Sequence, residues 1–483
     1  MNRIDESRER LWLAGFTLLF LLVNLATATR YPMPWVDEIQ FADAAINLYL
    51  GHGFTSSVWI AQPADAFWAG NTPLYTGLLY LWLKLAGLSI AAVRSLNFVL
   101  MSLVVWLVWD LAKRRGFVGS SRYRLVLAVL LFTGHALMFS FRMGRYDVLG
   151  MLLFAVAAIA WTGPATPMRL GVLALTALLA PLAGLQLLPA AALYCALALV
   201  FQGRPAIPRI IATGCGLGAG ILLLYAFYAS HGVWDAFRAS TSAVGVIGQN
   251  LAGKIAALPK IYTADKSSLL LLCAALLLAA RSSKDLSRRG PLAFGLVTAA
   301  LIPTVLQLIA KFPIYYSWMV YGPLAIGICS TLATTSPPVS IRGAAHLLIA
   351  GACLVGLPSR LLAVTSQWAN RDPASIDRYV ASRLVPDDRV VADFKAYYAV
   401  KARATALYAP TALGVMSPAE RESITALLIQ PKDLNRVSTA IGGVWQASGP
   451  LAGAGMAPSG LVPRLMREFA EESYPLQFYR RAR

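Results

Sequence analysis

The feature that most limits how this chain can fold is a series of eleven apolar runs. Each is long enough, or nearly so, to cross the hydrocarbon core of a membrane, which is ~30 Å thick. Inside a membrane the backbone must satisfy its own hydrogen bonds, which favours helices. The sequence therefore predicts a polytopic α-helical membrane protein with about 11 transmembrane helices, at residues 11–29, 91–112, 125–141, 148–161, 170–182, 185–201, 210–228, 269–280, 291–309, 319–332 and 344–357.

The composition supports a membrane protein and not a nucleic-acid-binding one. Of the 483 residues, 58% are hydrophobic and only 13% are charged, whereas soluble proteins carry roughly 25% charged residues. The formal net charge is +19, and basic residues commonly flank membrane spans on the cytoplasmic side. The cysteines all lie in apolar runs and the histidines are scattered, so neither a disulfide framework nor a zinc motif is indicated.

The charges around the first spans predict the orientation of the chain. Three arginines precede the first run, which keeps the N-terminus in the cytoplasm; a rival interpretation is a signal peptide cleaved near residues 26–28. The short segment 73–88 carries Lys84. As a full span it would turn the basic cluster at 113–115 outward, against the positive-inside rule. We therefore interpret it as a partial or re-entrant helix.

This orientation divides the chain into two predicted domains. Residues 1–358 form a transmembrane domain whose first exterior loop is 30–72, and residues 359–483 form a small soluble α/β domain on the exterior. The tail contains a strand-like stretch at 389–394 and a helix-capping box at 417–420. In a bacterium, such a multi-pass protein would lie in the inner membrane with its C-terminal domain in the periplasm.

The first exterior loop offers the best candidate for chemistry. Asp37 and Glu38 follow a Pro-Met-Pro-Trp segment just outside the first span. A carboxylate near the headgroup level can act as a general base, which is worth roughly 10²–10⁴ in rate. The structural alternative is that Asp37 caps an amphipathic helix over residues 39–50.

Other charged residues are predicted on the same face of the membrane. Arg145 and Asp147 lie in a turn between two spans, Arg94 begins a long span, and Lys311 lies at the end of another. Arginine forks suit phosphate groups, such as those of anionic lipids. The alternative for each cation is that it anchors its span at the membrane interface.

In order and sidedness, these residues resemble those of the GT-C glycosyltransferases that use polyprenyl-phosphate sugars. The nearest branches are the protein O-mannosyltransferases and the lipid A aminoarabinose transferase. One departure is that the family often carries His-Pro-Pro where this chain has Asn71-Thr72-Pro73. The resemblance covers residues 10 to about 330 and rests on Asp37-Glu38, Thr72-Pro73-Leu74-Tyr75, Gly87 followed by Arg94, Arg145-Tyr146-Asp147, and Lys311 followed by tyrosines and Pro323.

The resemblance implies the GT-C fold and an inverting transfer of a hexosyl or pentosyl group. The donor would be a polyprenyl-phosphate sugar and the acceptor a lipid, a glycan or a protein. Asp37 would be the base, with Glu38 and Asp147 orienting the base or the sugar. No cofactor is specified; a divalent metal between Asp37 and the phosphate is compatible with the pair. The residues implied to contact the substrate are Arg94, Arg145, Lys311, Tyr315 and Tyr316.

Two other classes of protein fit parts of the sequence. A transporter or lipid flippase would place ionisable residues and broken helices near the membrane midplane. Here the interiors of the predicted spans are almost free of charge, and the polar residues gather at one face. A non-catalytic scaffold, whose tail binds other envelope proteins, is the remaining alternative.

Overall fold

The computed structural model of the chain describes residues 6–60, 62–244, 250–281, 290–452 and 474–482. Most of the described chain before residue 367 is helical. The helices of this part are α1 (Glu6–Thr27), α2 (Val36–Leu50), α3 (Pro73–Ala86), α4 (Ile90–Arg114), α5 (Ser121–Thr133), α6 (His135–Arg142), α7 (Asp147–Trp161), α8 (Pro167–Ala183), α9 (Leu187–Gln202), α10 (Ile207–Ser230), α11 (Trp234–Val244), α12 (Leu251–Ala256), α13 (Leu258–Ala264), α14 (Lys266–Arg281), α15 (Pro291–Ile309), α16 (Trp318–Thr334), α17 (Val339–Val355) and α18 (Leu357–Ser366).

The apolar helices confirm a membrane protein but leave the number of spans open. Within the described ranges, four helices are long and apolar enough to cross a membrane, or seven if each of three bent helix pairs counts as one span. Shorter apolar helices of 10–17 residues are α7, α8, α9 and α16. The predicted total of eleven therefore stays a prediction. Helix α3 has 14 residues and is about 21 Å long, which is shorter than the hydrocarbon core.

The three bent pairs meet at their bends. A Cβ on Gly356, between α17 and α18, would lie only 1.8 Å from the carbonyl oxygen of Thr133, at the end of α5. At the start of α6, His135 Nδ1 lies 3.0 Å from an oxygen of Asp265, the residue between α13 and α14. These contacts fix the start of α6, and α6 leads towards the candidate site.

Helices α8 and α10 pack with their backbones in close approach. A Cβ on Gly216 would lie 2.2 Å from the carbonyl oxygen of Ala174, and one on Gly220 would lie 2.2 Å from that of Leu178. Small residues at such spacing allow helices to associate closely within a membrane. Both glycines of α10 are therefore required by the α8–α10 contact.

The C-terminal part of the chain forms a small α/β unit. Its helices are α19 (Pro373–Ala381), α20 (Tyr397–Lys401), α21 (Pro418–Ser423) and α22 (Leu434–Ile441). Its strands are β1 (Arg389–Ala392), β2 (Ala406–Tyr408), β3 (Ala426–Ile429), β4 (Trp445–Ala447) and β5 (Gln477–Arg481). The described strands form one sheet in the order β2-β1-β3-β5-β4. Strand β1 is parallel to β2 and β3, whereas β5 is antiparallel to β3 and β4.

Two local predictions for the tail are confirmed. The predicted strand at 389–394 is present over Arg389–Ala392. The predicted capping box is complete: Ser417 accepts from the backbone of Glu420, whose side chain accepts from the Ser417 backbone. The predicted domain division between residues 358 and 359 falls inside α18, and the division itself stays a prediction.

We predict that alanine at Gly216 or Gly220 destabilises the protein, because each new methyl group would collide with the backbone of α8. Overpacking of this kind costs about 1–3 kcal/mol. Matched controls are Gly214→Ala and Gly218→Ala in the same helix, where a Cβ meets nothing within 4 Å. These controls should unfold at the wild-type temperature or slightly above it. Equal unfolding temperatures for all four variants in detergent would contradict the close contact.

Candidate active site

Helix α2 presents the two predicted carboxylates from its first turn. The N-cap is Trp35, so Asp37 and Glu38 are the second and third helical residues. The alternative that Asp37 caps this helix is therefore wrong. The helix is also not amphipathic, since every residue from Glu38 to Asn47 is buried. Carboxylates in a first turn are favoured by the positive end of the helix dipole.

Glu38 forms a buried ion pair with Arg94 of α4. Two parallel contacts join the side chains, 2.7 Å from Nε to Oε1 and 2.5 Å from Nη2 to Oε2. Both side chains are 0% exposed. The remaining guanidinium nitrogen, Nη1, donates to the carbonyl oxygens of Ala28 and Pro32. Arg94 therefore holds α2 and the segment that joins α1 to α2 against α4.

Asp37 is held by a second arginine. Arg145, in the turn before α7, donates from Nη1 to Asp37 and from Nε to Asp147 at 2.8 Å. Burial alone would lower the pKa of Arg145, but the charges of Asp147 and Asp37 outweigh it and raise this pKa. Asp147 is 0% exposed, whereas the side chain of Asp37 is 25% exposed. Of the three groups, Asp37 is the one that incoming molecules can reach.

The turn that carries Arg145 is shaped to pack on α2. Gly144 has φ +63°, and a Cβ there would lie 2.6 Å from the side chain of Glu38. A glycine therefore satisfies both the backbone angle and the close approach. Trp35 Nε1 donates to the carbonyl oxygen of Met143 at 3.1 Å. In addition, Asn97 donates to the carbonyl oxygen of Arg145 at 2.8 Å.

The segment between α15 and α16 contributes cationic and aromatic side chains. Arg145 lies over the ring of Tyr315, with 3.6 Å from Cζ to the ring centroid. Lys311 is half-buried, and it is close enough to Asp37 and Arg145 for their charges to affect its pKa. Burial lowers the pKa of Lys311, and the attraction of Asp37 opposes this only partly. Burial raises the pKa of Tyr315 and Tyr316, so both phenols stay neutral.

The C-terminal unit contacts α2 through α20. Asp43 of α2 is 0% exposed and accepts from Tyr397 and from Lys401 Nζ, the latter at 2.8 Å. Tyr398 also donates to Glu38 at 3.5 Å. Burial raises the pKa of Tyr397 and Tyr398 well above the usual range, so both remain hydrogen-bond donors. The position of α2 thus depends on the C-terminal unit.

An apolar cavity of about 460 Å³ runs among the helices behind this site. Helix α7 lines it along one face, from Met151, one turn after Asp147, to Trp161 and Thr162 at its far end. Trp318, whose indole lies beside Asp147, lines the near end. The cavity therefore runs along α7 from the turn after Asp147 towards the opposite end of that helix.

The geometry can be compared with that of solved structures. ArnT from Cupriavidus metallidurans, bound to undecaprenyl phosphate, matches with a TM-score of 0.61 at 10% identity, over 98% of this chain and 98% of that chain. The arabinofuranosyltransferase AftD from Mycobacteria matches with a TM-score of 0.52 at 13% identity, over 100% of this chain and 40% of that chain. Both belong to the GT-C superfamily. The chain has the GT-C fold.

The predicted resemblance to GT-C proteins is thereby confirmed at the level of the fold. No protein-family model matches the sequence, and no curated protein matches it either. The chain spans about two fifths of the length of AftD, while its length corresponds to that of ArnT.

Within this GT-C fold, the predicted site residues divide into two groups. Asp37, Arg145 and Asp147 lie together, and Lys311 and Tyr315 are near them. Glu38 and Arg94 face each other instead, and Tyr316 is buried. The predicted role of each residue in catalysis or substrate binding stays a prediction. In the described part of the chain, no group of three or more His, Cys, Asp or Glu side chains is arranged to hold a metal ion.

Sequence analysis missed three residues that organise the site. Asn97 has a visible signal, because a polar residue inside an apolar span is usually functional. Tyr397 and Tyr398 carry no such signal, since aromatic residues are common in any small α/β domain. Their contacts with Asp43 and Glu38 depend on the tertiary fold.

We predict that Glu38→Gln destabilises the GT-C domain, because it leaves the buried Arg94 charge without its partner. Removing one member of a buried ion pair costs about 3–5 kcal/mol. The control is Glu6→Gln, since Glu6 is 56% exposed and pairs with Arg10 and Lys113 at the surface. Such surface pairs contribute about 0–1 kcal/mol. Thermal unfolding in detergent should separate the two variants, and equal midpoints would contradict a stabilising role for the pair.

Proposed function

We propose that this protein is an integral-membrane glycosyltransferase that uses a polyprenyl-phosphate-linked sugar. The observation that carries the proposal is Asp37, a partly exposed carboxylate held in place by Arg145. Asp147, the other partner of Arg145, lies one turn of α7 before Met151, which lines an apolar cavity. The GT-C fold supports the proposal, because ArnT and AftD share that fold. The proposal places the active site on the exterior face, in a bacterium the periplasmic face of the inner membrane.

In the proposed reaction, Asp37 acts as the general base. A hydroxyl group of the acceptor attacks the anomeric carbon while Asp37 takes its proton. The new carbon–oxygen bond forms as the bond from the anomeric carbon to the phosphate oxygen breaks, and the electron pair leaves with the polyprenyl phosphate. Attack from the face opposite the leaving group inverts the configuration of the sugar.

Arg145 and Lys311 are the proposed partners of the departing phosphate. The phosphate gains negative charge as the bond breaks, and preorganised cations at that position stabilise the transition state. Arg145 is already oriented by Asp147 and Tyr315. Lys311 lies near Asp37 and Arg145. Tyr315 and Tyr316 follow Lys311 in the segment between α15 and α16.

Glu38, Arg94 and Asp147 have a different proposed role. All three side chains are 0% exposed, so we assign them to positioning. Arg94 acts through Glu38 and fixes the turn of α2 that carries Asp37. Asp147 acts through Arg145 and sets the direction of its guanidinium.

The apolar cavity is the proposed site of the polyprenyl chain. A long isoprenoid needs an apolar surface that leads away from the reacting phosphate, and the lining of α7 runs from the turn below Asp147 to Trp161. ArnT, which has the same fold, was solved with undecaprenyl phosphate bound. The acceptor would be a lipid, a glycan or a protein that enters from the exterior.

Transfer can be tested directly with the purified protein. The protein is incubated with radiolabelled polyprenyl-phosphate sugars and a bacterial membrane extract, and labelled products are then separated and identified. The proposal expects the label to leave the lipid and to appear in a new glycoside of inverted configuration. No new glycoside, together with movement of the intact labelled lipid between leaflets when the protein is reconstituted in liposomes, would support the flippase alternative instead.

We predict that Asp37→Asn lowers the transfer rate by roughly 10²–10⁴, the usual contribution of a general base. The amide keeps the size of the side chain but cannot take the proton. Asp235→Asn, at a side chain that is 94% exposed, is the matched control and should retain wild-type activity. Near-normal turnover by a folded Asp37→Asn protein would remove Asp37 from the mechanism.

We predict an alkaline limit of activity that arises from Lys311. Because burial lowers the pKa of Lys311 below its ordinary value of 10.5, its ammonium loses its charge at a lower pH than an exposed lysine does. Donor binding should weaken as pH rises through that range. Lys311→Arg keeps the charge and should move the alkaline limb of the pH–activity profile to higher pH. If the alkaline limb of the pH–activity profile is unchanged in Lys311→Arg, the charge of Lys311 is not required for donor binding.

A further inference from the structure

Three arginines meet around Gly163, just after the end of α7 that is remote from Asp147. Arg115 follows the last residue of α4, Arg169 lies in the first turn of α8, and Arg209 lies in the first turn of α10. All three side chains are partly buried. The cluster is therefore contributed by three different helices, and it lies at the end that we predict to be cytoplasmic.

The absence of a side chain on Gly163 allows two of the charges to approach closely. The position that a Cβ would occupy lies 0.8 Å from Arg169 Nη1 and 2.7 Å from Arg115 Nη2. The two guanidinium nitrogens are consequently no more than about 3.5 Å apart, a separation at which like charges repel strongly. Arg209 Nη2 adds a third cation, since it donates to the carbonyl oxygen of Gly163 at 2.5 Å.

Nothing in the described part of the chain neutralises this charge. Arg115, Arg169 and Arg209 form no ion pair there, and the buried Nη1 of Arg169 has no hydrogen-bond partner within those residues. Arg114 is a useful contrast, because its side chain is 75% exposed and pairs with Asp110 at 2.7 Å. Arg114 has the exposure and the ion pair expected of an interfacial anchor. The cluster differs, because its guanidinium groups converge and a buried N–H of Arg169 is available to donate to a bound anion.

The neighbouring residues indicate what kind of anion. Arg115 Nε donates to Thr162 Oγ1 at 3.1 Å, and Thr162, Trp161 and Phe117 line the far end of the apolar cavity. A ligand bound here therefore meets cations and an apolar surface together. Guanidinium forks match phosphate oxygens, and basic pockets between transmembrane helices bind lipid headgroups.

We propose that Arg115, Arg169 and Arg209 form a second lipid-phosphate site, which holds the headgroup of an anionic phospholipid of the adjacent leaflet. Its acyl chains would extend into the surrounding leaflet, and only the headgroup would border the end of the cavity proposed for the polyprenyl chain. This site is at the opposite ends of α4 and α7 from Arg94 and Asp147, and Arg115 lies about 32 Å from Arg94 along α4. It does not depend on the proposed transfer reaction.

The site can be tested by lipid binding to the full-length protein in detergent. Native mass spectrometry with added phosphatidylglycerol or phosphatidylcholine should show preferential retention of phosphatidylglycerol by the wild type. We expect the Arg115→Gln, Arg169→Gln double variant to lose about tenfold in apparent affinity for phosphatidylglycerol. Gly163→Ala should lose a similar factor, because its methyl group displaces Arg169 while every charge remains.

Arg114→Gln is the matched control, since it removes one positive charge from the neighbouring residue, and it should bind phosphatidylglycerol within twofold of the wild type. If Arg114→Gln and the double variant lose equal affinity for phosphatidylglycerol, the proposal is overturned, because binding would then depend on the overall positive charge of this surface and not on a specific site. Unchanged affinity for phosphatidylglycerol in a folded double variant would also overturn the proposal. The double variant therefore tests the site even if Gly163→Ala does not fold. Inorganic phosphate that displaces the lipid at comparable concentration would overturn the assignment to a lipid.

Discussion

Two adjacent carboxylates in one turn of α2 are each held by an arginine from a different part of the helical region, one from α4 and one from the turn before α7. Successive residues of a helix point about 100° apart, so the Glu38–Arg94 pair and the Asp37–Arg145 pair together fix the rotation of α2. The first pair is fully buried and anchors the helix to α4. The second leaves Asp37 partly exposed. The direction in which Asp37 faces is therefore determined by its neighbour.

Most charged residues of the candidate site could be identified from the sequence, but the ion pairs that they form could not. Charged residues at the ends of apolar runs are conspicuous, which is how Asp37, Arg145 and Asp147 could be predicted. The predicted contact of Arg94 with the substrate comes from the resemblance to GT-C glycosyltransferases, since an arginine at the start of a span is otherwise an interfacial anchor. The sequence has no local signal that this arginine pairs with Glu38, 56 residues earlier. Which charges pair is decided by tertiary packing.

A similar division holds for the fold. Hydropathy predicted where apolar helices lie, because it measures which segments avoid water. It could not predict the bends at Gly134, Asp265 and Gly356, since a bent and a straight helix bury similar side chains. In the tail, the strand at Arg389–Ala392 and the capping box were local patterns. The insertion of β5 between β3 and β4 joins distant segments, and no local pattern encodes it.

The contact between Asp43 and α20 has a consequence for biosynthesis. Tyr397 is made 354 residues after Asp43, which at 5–20 residues per second is a delay of roughly 20–70 s. During this interval Asp43 lacks the tyrosine and the lysine that later surround it. The packing around Asp43 is therefore incomplete until α20 has been synthesised. Helix α2 therefore reaches its final environment only after the C-terminal unit has been synthesised and has packed against it.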